Sequence, residues 1–356
     1  MGRNVQIKLL KFYKMIKKKI IVISHNFWPE NFQINEVVKS LSSKFDLTVI
    51  TGKPNYPLGK IFTNYKYFTI DKEKFFKKTK IIRVPIIMRG SGGSYMKILN
   101  YLSFVISTLV LLPIILYKRK FDYIFVYAPS PVIHSLIGIF LKKTRKIPLI
   151  IWLQDLWPSS LISSGQLKNK FLLRIIEKLI NYIYKSTDAL LIQSESYRQI
   201  LKGKIDKSRI HYVPNSFSEK NFFSKKKKLN QKDFNIVYAG NIGLVQEFNT
   251  ILYAAYEIQK MKLDIKFIFY GEGMMKKKLQ NIIYKKGIKN FLIYDYISKK
   301  KLIPILQEAD VLYVSLKNFK NLKLTIPSKV QFYLSMKKPI LAEVSGESAK
   351  VIKNSK

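Results

Sequence analysis

Residues able to do chemistry gather where apolar runs end. In PLIIWLQDLWPSS (148–160) a strand-like stretch stops at Asp155, with Trp157 and Pro158 directly after it. A carboxylate at a strand exit can act as a base, bind an acceptor hydroxyl, or cap a helix entered through Pro158, Ser159 and Ser160. SHNFWPEN (24–31) makes a similar exit, with His25, Trp28, Glu30 and Asn31. The chain has three tryptophans, and two of them, Trp28 and Trp157, precede a proline. Of its three histidines, His25 is the one placed for a cleft. His134 lies in the apolar stretch VIHSLIGIF and reads as a packing residue, and His211 lies within a strand. The two exits are expected to form walls of one site.

Three further motifs suit an anion. YAGNIGLVQEF (238–248) runs from a strand through Gly240, Asn241 and Gly243 towards a helix. Glycines let a ligand approach the backbone, and free N–H groups at a helix start favour phosphate. A plain tight turn would look the same, and no third glycine completes a dinucleotide fingerprint. FYGEGMMKKKL (269–279) repeats the pattern with Gly271, Glu272 and Gly273, followed by Lys276, Lys277 and Lys278. Those lysines oppose the helix dipole, so they are either solvated or poised for an anion. In LTIPSKVQFYLSMKKPILA (324–342), Pro327 and Ser328 read as a helix start, with Ser328 as N-cap and Lys329 as a diphosphate clamp. The ten aspartates form no Asp-x-Asp pair, and Walker, Gly-x-Ser-x-Gly and His-Glu-x-x-His motifs are missing, so no metal ligand is assigned.

Positioning these motifs needs alternating strands and helices. Strands are predicted at 19–24, 47–51, 80–85, 123–127, 149–153, 189–194 and 209–215, with helices at 31–44, 94–117, 131–142, 168–186 and 195–202. After a polar stretch with lysines at 225–228, alternation resumes. The second series has strands at 235–240, 265–271, 291–296, 310–316 and 339–344, and helices near 244–260, 274–286, 299–307 and 328–336. That pattern predicts an α/β protein with two doubly wound parallel sheets. The expected domains are a basic N-terminal extension (1–17, with the natural start at Met15), a first domain (18–215), a Lys-rich linker (216–233) and a second domain (234–356). Ligands are expected outside the carboxyl ends of the strands.

With 47% apolar and 13% aromatic residues the chain is not a disordered one, and with no cysteine it has neither disulfides nor thiolate chemistry. A net charge of +42 favours anionic membranes or phosphorylated ligands, although a bias towards Lys, Ile, Asn, Phe and Tyr is a competing source of it. The lysine run at 225–228 lacks the interleaved aromatics of a nucleic-acid patch, and no specific nucleic acid is expected. The uncharged stretch 98–117 is long enough to span a bilayer, yet it holds Asn100, Ser103, Ser107, Thr108 and Pro113. It reads as a helix of the α/β domain, lying on a membrane face.

Taken in order, FWPENFQIN (27–35), TGKPNYPLGK (51–60), RVPIIMRGSGG (83–93), NYLSF (100–104), YAPSP (127–131), WLQDLWPSSL (152–161), AGNIGLVQ (239–246), GEG (271–273) and IPSKVQFYLSMKKPILAEVSGESA (326–349) resemble the retaining glycosyltransferases of family 4. Within that family the likeness is to the bacterial O-antigen and capsule branch of N-acetyl-L-fucosaminyltransferases. It implies a GT-B fold: two facing Rossmann-like domains with parallel sheets, the second apparently truncated at its C-terminus. The implied reaction moves a sugar, such as an N-acetylated deoxyhexosamine, from a UDP-linked donor to a polyprenyl-diphosphate-linked saccharide. It would need no metal and no cofactor beyond the nucleotide sugar, and would run at the cytoplasmic face of the inner membrane. By the same resemblance, Gly240, Asn241, Gly243, Gln246, Gly271, Glu272, Gly273, Pro327, Ser328 and Lys329 bind the donor. Trp28, Glu30, Asn31 and Trp157 lie on the acceptor side, and Asp155 and His25 contact the acceptor or handle a proton. The sequence departs from the family where two glutamates are usual: Leu324 and Phe332 stand there, and the usual Arg and Lys donor clamp is also missing. Lys329 is the substitute. Alternative readings are an inactive, anion-binding remnant and a nucleotide-sugar epimerase.

Overall fold

The computed structural model describes residues 17–90, 93–158, 169–215, 233–320 and 322–355. Most of the expected extension, most of the expected linker 216–233, and Ser159 and Ser160 lie outside the described residues. The chain divides into two units: residues 1–193 with 198–213, and residues 194–197 with 214–356.

In the first unit the strands are β1 (Lys19–Ile23), β2 (Asp46–Gly52), β3 (Asp71–Lys74), β4 (Lys80–Val84), β5 (Tyr123–Ala128), β6 (Leu149–Leu153), β7 (Ala189–Ile192) and β8 (Ile210–Tyr212). The helices are α1 (Gln33–Leu41), α2 (Ser94–Ile115), α3 (Ser135–Arg145), α4 (Lys170–Ser186) and α5 (Tyr197–Leu201). The eight strands are ordered β3-β4-β2-β1-β5-β6-β7-β8. Central strands such as KIIVI and LIIWL are apolar on both faces because helices cover both sides of a parallel sheet. Val22 aligns with Val49 on one side and Phe125 on the other, and all three are buried. Strand order reverses between β1 and β5, which puts the crevice at the loops that follow them.

One strand escaped the sequence reading. β3 (DKEK) runs antiparallel along β4, with no apolar residue to signal it. Asp71 and Glu73 share one face by the two-residue repeat. They pair with Lys53 and Arg83, whose side chains are completely buried. Arg83 also donates to the Trp28 carbonyl, so the edge strand fixes the β1 exit from beneath.

The second unit contains β9 (Phe234–Ala239), α6 (Asn249–Lys260), β10 (Ile265–Tyr270), α7 (Lys276–Lys285), β11 (Phe291–Tyr294), α8 (Lys299–Glu308), β12 (Val311–Ser315), α9 (Ser328–Ser335), β13 (Ile340–Glu343) and α10 (Glu347–Asn354). Its five parallel strands are ordered β11-β10-β9-β12-β13, so the order reverses between β9 and β12. The helix expected from 244 starts only at Asn249. Residues 243–248 form a loop instead, because the Gly243 N–H is taken by the Gln246 side chain (3.0 Å) and the Val245 carbonyl accepts from Lys317 (2.9 Å). α10 was not foreseen.

Candidate active site

In the second unit the expected donor residues collect at the point where strand order reverses. Gly240 ends β9, and the segment leaving β12 leads to Pro327 and the start of α9. A Cβ on Gly240 would sit 2.8 Å from Lys329 Cε and 2.9 Å from Nζ, so the lysine lies directly against the glycine turn. Its ammonium sits 3.4 Å from the centre of the Tyr238 ring. Among the described residues no carboxylate pairs with it. The residue is half-buried, and desolvation holds its proton affinity well below the ordinary lysine value. A half-buried cation facing a glycine turn without a counter-charge is suited to receive an anion.

Tyr333, which the sequence reading missed, explains how Lys329 is held. It lies one turn further along α9 on the same helix face. Its hydroxyl accepts from the Ala239 N–H (2.8 Å) and donates to the Ala239 carbonyl (3.3 Å). The i, i+4 spacing of Lys329 and Tyr333 was the available signal. Ser328 is the first helical residue rather than the N-cap. Pro327 takes the cap position and offers no side-chain acceptor, which leaves the first-turn amides uncapped by any side chain.

The second glycine turn supports the first. A Cβ on Gly271 would lie 1.9 Å from the Gly240 carbonyl, and one on Gly273 would lie 2.3 Å from that of Ile242. Ile242 donates to the Glu272 carbonyl (2.8 Å), and Tyr238 to the Asn241 carbonyl (2.6 Å). The Glu272 side chain is spent on Lys276 (2.6 Å), which also pairs with Asp295. Lys276 is therefore neutralised within the protein and is no free anion ligand, whereas Lys277 and Lys278 are exposed.

In the first unit the exits of β1, β5 and β6 lie at one edge of the sheet. Trp157 Nε1 donates to Ser130 Oγ (2.7 Å), tying the β6 exit to the β5 exit. Trp28 is 41% exposed, and its N–H donates to Asn35 Oδ1 (3.0 Å). Asn31 is exposed. The Trp28–Pro29 and Trp157–Pro158 bonds are both cis. Asp155 is half-buried, and its Oδ1 accepts from the Leu156 N–H (2.9 Å). The helix entry it was expected to cap runs into residues outside those described.

Two expectations change here. His25, expected to handle a proton, is 3% exposed, packed edge-on against Tyr101 and Phe104, with Nδ1 against Asn26 Oδ1 (2.9 Å). Burial lowers its pKa from 6.5 to about 4, so the ring is neutral at neutral pH, and its buried Nε2 has no hydrogen-bond partner among the described residues. Glu30 is engaged within the protein on both oxygens. Its Oε1 accepts from the N–H groups of Asn55 (2.8 Å) and Tyr56 (2.7 Å), and its Oε2 from Asn26 Nδ2 (2.9 Å). Burial pushes its carboxyl above the usual range, against the pull of those N–H donors. It holds the loop after β2 onto the β1 exit. A hollow of about 600 Å³ lies at the opposite edge of this sheet, lined by Lys17, Lys19, Lys77, Lys78 and Lys80, away from the strand exits.

Residues 219–356 match the family model of glycosyl transferases group 1. The match covers the second unit and makes that part of the chain similar to the family. The matched residues include the Gly240 turn, Lys329 and Tyr333. The chain is similar to WbjE of Pseudomonas aeruginosa, a probable glycosyltransferase, at 24% identity over 215 residues, or 57% of this chain and 53% of WbjE. That alignment thus spans about half of the curated relative. Among solved structures, HepE of Anabaena in complex with UDP and glucose matches with a TM-score of 0.58 and 10% identity, covering 94% of this chain and 83% of HepE. Sucrose-phosphate synthase of Thermosynechococcus elongatus matches with a TM-score of 0.67 and 11% identity, covering 93% and 82%. At these identities the likeness carries the fold, which is GT-B.

Proposed function

We propose that the chain transfers a sugar from a UDP-linked donor to a lipid-linked saccharide at an anionic membrane surface, in the synthesis of a bacterial surface polysaccharide. The reading rests first on Lys329: a half-buried ammonium without an acidic partner among the described residues, against the Gly240 turn in the segment that matches the glycosyl transferases group 1 model. A diphosphate supplies the missing counter-charge. The cation and the uncapped amides of α9 then stabilise the charge that develops on the leaving UDP, so the step is assigned no metal. HepE, solved with UDP, supports the nucleotide. Retention of configuration, an L-fucosamine-type sugar and O-antigen or capsule as the product follow from the resemblance described above. Asp155 is assigned to the acceptor hydroxyl, with Trp28, Asn31 and Trp157 beside it.

Helix α2 supports the membrane surface. It is long and apolar enough to cross a bilayer, with a mean hydropathy of 2.2 over Tyr95–Ile115. It packs on the sheet instead and leaves one face open. Tyr95, Ile98, Leu102, Ile106, Val110, Ile114 and Tyr117, spaced three or four apart, are all exposed, Val110 and Ile114 to 68% and 70%. Lys118, Arg119 and Lys120 follow at its end. An apolar stripe with a basic rim suits the interface of an anionic bilayer.

The test incubates membranes, with and without the protein, with a panel of labelled UDP-sugars and follows label into lipid-linked saccharide. Incorporation that needs the protein supports the reading, and none from any donor refutes it. In the same assay, unchanged turnover by Asp155→Asn would remove that residue from the chemistry. Conversion of the donor without acceptor would make the protein an epimerase.

A further inference from the structure

Among the described residues Arg89 of the first unit also has no acidic partner. Arg89, in the loop after β4, lies between two aromatic rings: its guanidinium carbon is 5.5 Å from the centre of Tyr56 and 5.4 Å from that of Tyr101. One N–H donates to the Tyr101 hydroxyl (2.6 Å). A guanidinium has five N–H donors, and among the described residues Arg89 has no other hydrogen-bond acceptor and no ion pair. The bond to Tyr101 uses one donor, and the remaining N–H groups have no acceptor among the described residues.

The surrounding structure fixes this arrangement from three directions. Glu30 holds the Asn55 and Tyr56 amides, and the Phe32 ring sits 5.3 Å from that of Tyr56. The loop carrying Tyr56 is joined to Gly90 backbone to backbone: Gly90 N–H donates to the Gly59 carbonyl (3.0 Å), and a Cβ on Gly59 would fall 1.7 Å from the Gly90 oxygen. Gly59 has φ +74°, where a side chain would also be strained. Tyr101 belongs to α2, next to Leu102 and one turn from Ile98 of the exposed apolar stripe. A planar, aromatic-braced fork thus sits where the strand-exit edge meets the lipid-facing helix.

We infer that Arg89, braced by Tyr56 and Tyr101, binds the diphosphate of a lipid-anchored acceptor. A planar guanidinium matches phosphate oxygens two at a time, and its place beside an apolar stripe selects a phosphate that carries a hydrocarbon chain. The inference builds on the lipid-linked acceptor proposed above and adds the group that recognises it.

The test is equilibrium binding of the full chain to farnesyl diphosphate, a soluble lipid diphosphate, with UDP and phosphatidylglycerol vesicles as separate arms. Arg89→Gln is expected to weaken farnesyl diphosphate about tenfold or more, the loss of charge-assisted bonds, while UDP and vesicle binding stay unchanged. Unchanged farnesyl diphosphate affinity overturns the inference, and so does a loss seen with phosphatidylglycerol vesicles alone, which would make the site a headgroup contact. If thermal melting shows that Arg89→Gln does not fold, Arg89→Lys decides. It keeps the charge but not the fork, and wild-type affinity in that variant overturns the inference. Because binding is read without turnover, a chain that binds through Arg89 but transfers no sugar would refute the proposed function and leave this inference standing.

Discussion

Replacing Lys329 by methionine tests the proposed donor site, because the free and liganded states should respond in opposite directions. In the free protein the ammonium has a cation–π contact with Tyr238 at 3.4 Å, worth about 0.5–2 kcal/mol. Against this stands the cost of enclosing a charge without a partner, several kcal/mol. Desolvation outweighs the ring, so Lys329→Met should leave stability unchanged or raise it by roughly 1 kcal/mol. UDP binding loses a charged hydrogen bond of about 1.5–3 kcal/mol, a drop of roughly ten- to 150-fold in affinity. The pH dependence has a definite sign. Burial lowers the proton affinity of Lys329 in the free protein, and a bound diphosphate restores it, so the complex holds the extra proton. Wild-type UDP affinity should therefore fall, by at most tenfold per pH unit, as alkalinity rises between the free and bound values. Folding follows the same rule: the penalty of the buried charge is present at low pH and is relieved as pH rises towards 10.5. Tyr238, Tyr313 and Tyr333 surround the site, and burial pushes each hydroxyl upward, so they stay neutral throughout. Calorimetric titration with UDP from pH 7 to 9.5, on both proteins, reads all of this. Equal affinities, or the same pH slope in the variant, would refute the reasoning.

Tyr333→Phe removes the acceptor for the Ala239 N–H and should cost about 1–3 kcal/mol in denaturant unfolding, with a measurable loss of UDP affinity as α9 loosens. Glu73→Gln leaves the Arg83 guanidinium buried without its carboxylate and should destabilise the first unit by about 3–5 kcal/mol, read by the same method. Acidification should weaken the fold: His25 and His134 are both lowered by burial from 6.5 to about 4, so the unfolded chain binds more protons between those values. Their contribution is intact above pH 6.5 and fades towards pH 4, on the order of 3 kcal/mol for each histidine, and His25→Gln should flatten part of that slope. Val110→Asp with Ile114→Asp should release the protein from phosphatidylglycerol vesicles in a flotation assay while leaving UDP binding intact.

Strands with continuous apolar runs were legible because a parallel sheet buried on both faces demands them, as in KIIVI and LIIWL. The glycine turns and Lys329 were legible because turn chemistry is local. What stayed hidden depended on partners distant in sequence. β3 carries only charged residues, and its meaning appears when Asp71 and Glu73 meet Lys53 and Arg83. Glu30 and His25 had residue types suited to catalysis, and only the fold revealed one as a backbone clamp and the other as a buried, neutral imidazole. Arg89 lies inside the RVPIIMRGSGG stretch, but the role proposed for it depends on two tyrosines, 33 and 12 residues away in the numbering, that the fold brings beside it.

The two glycines at the heart of the second unit will not carry equal weight in a saturation screen. At Gly271 any side chain collides with the Gly240 carbonyl, an atom that cannot step aside, so every substitution should score as lethal even in a protein never asked to bind a nucleotide. At Gly240 the obstacle is the flexible end of Lys329, although φ +142° adds strain of its own. An intolerant Gly271 would therefore report on the scaffold, and only the tolerance of position 329, scored separately for abundance and for turnover, reports on the substrate.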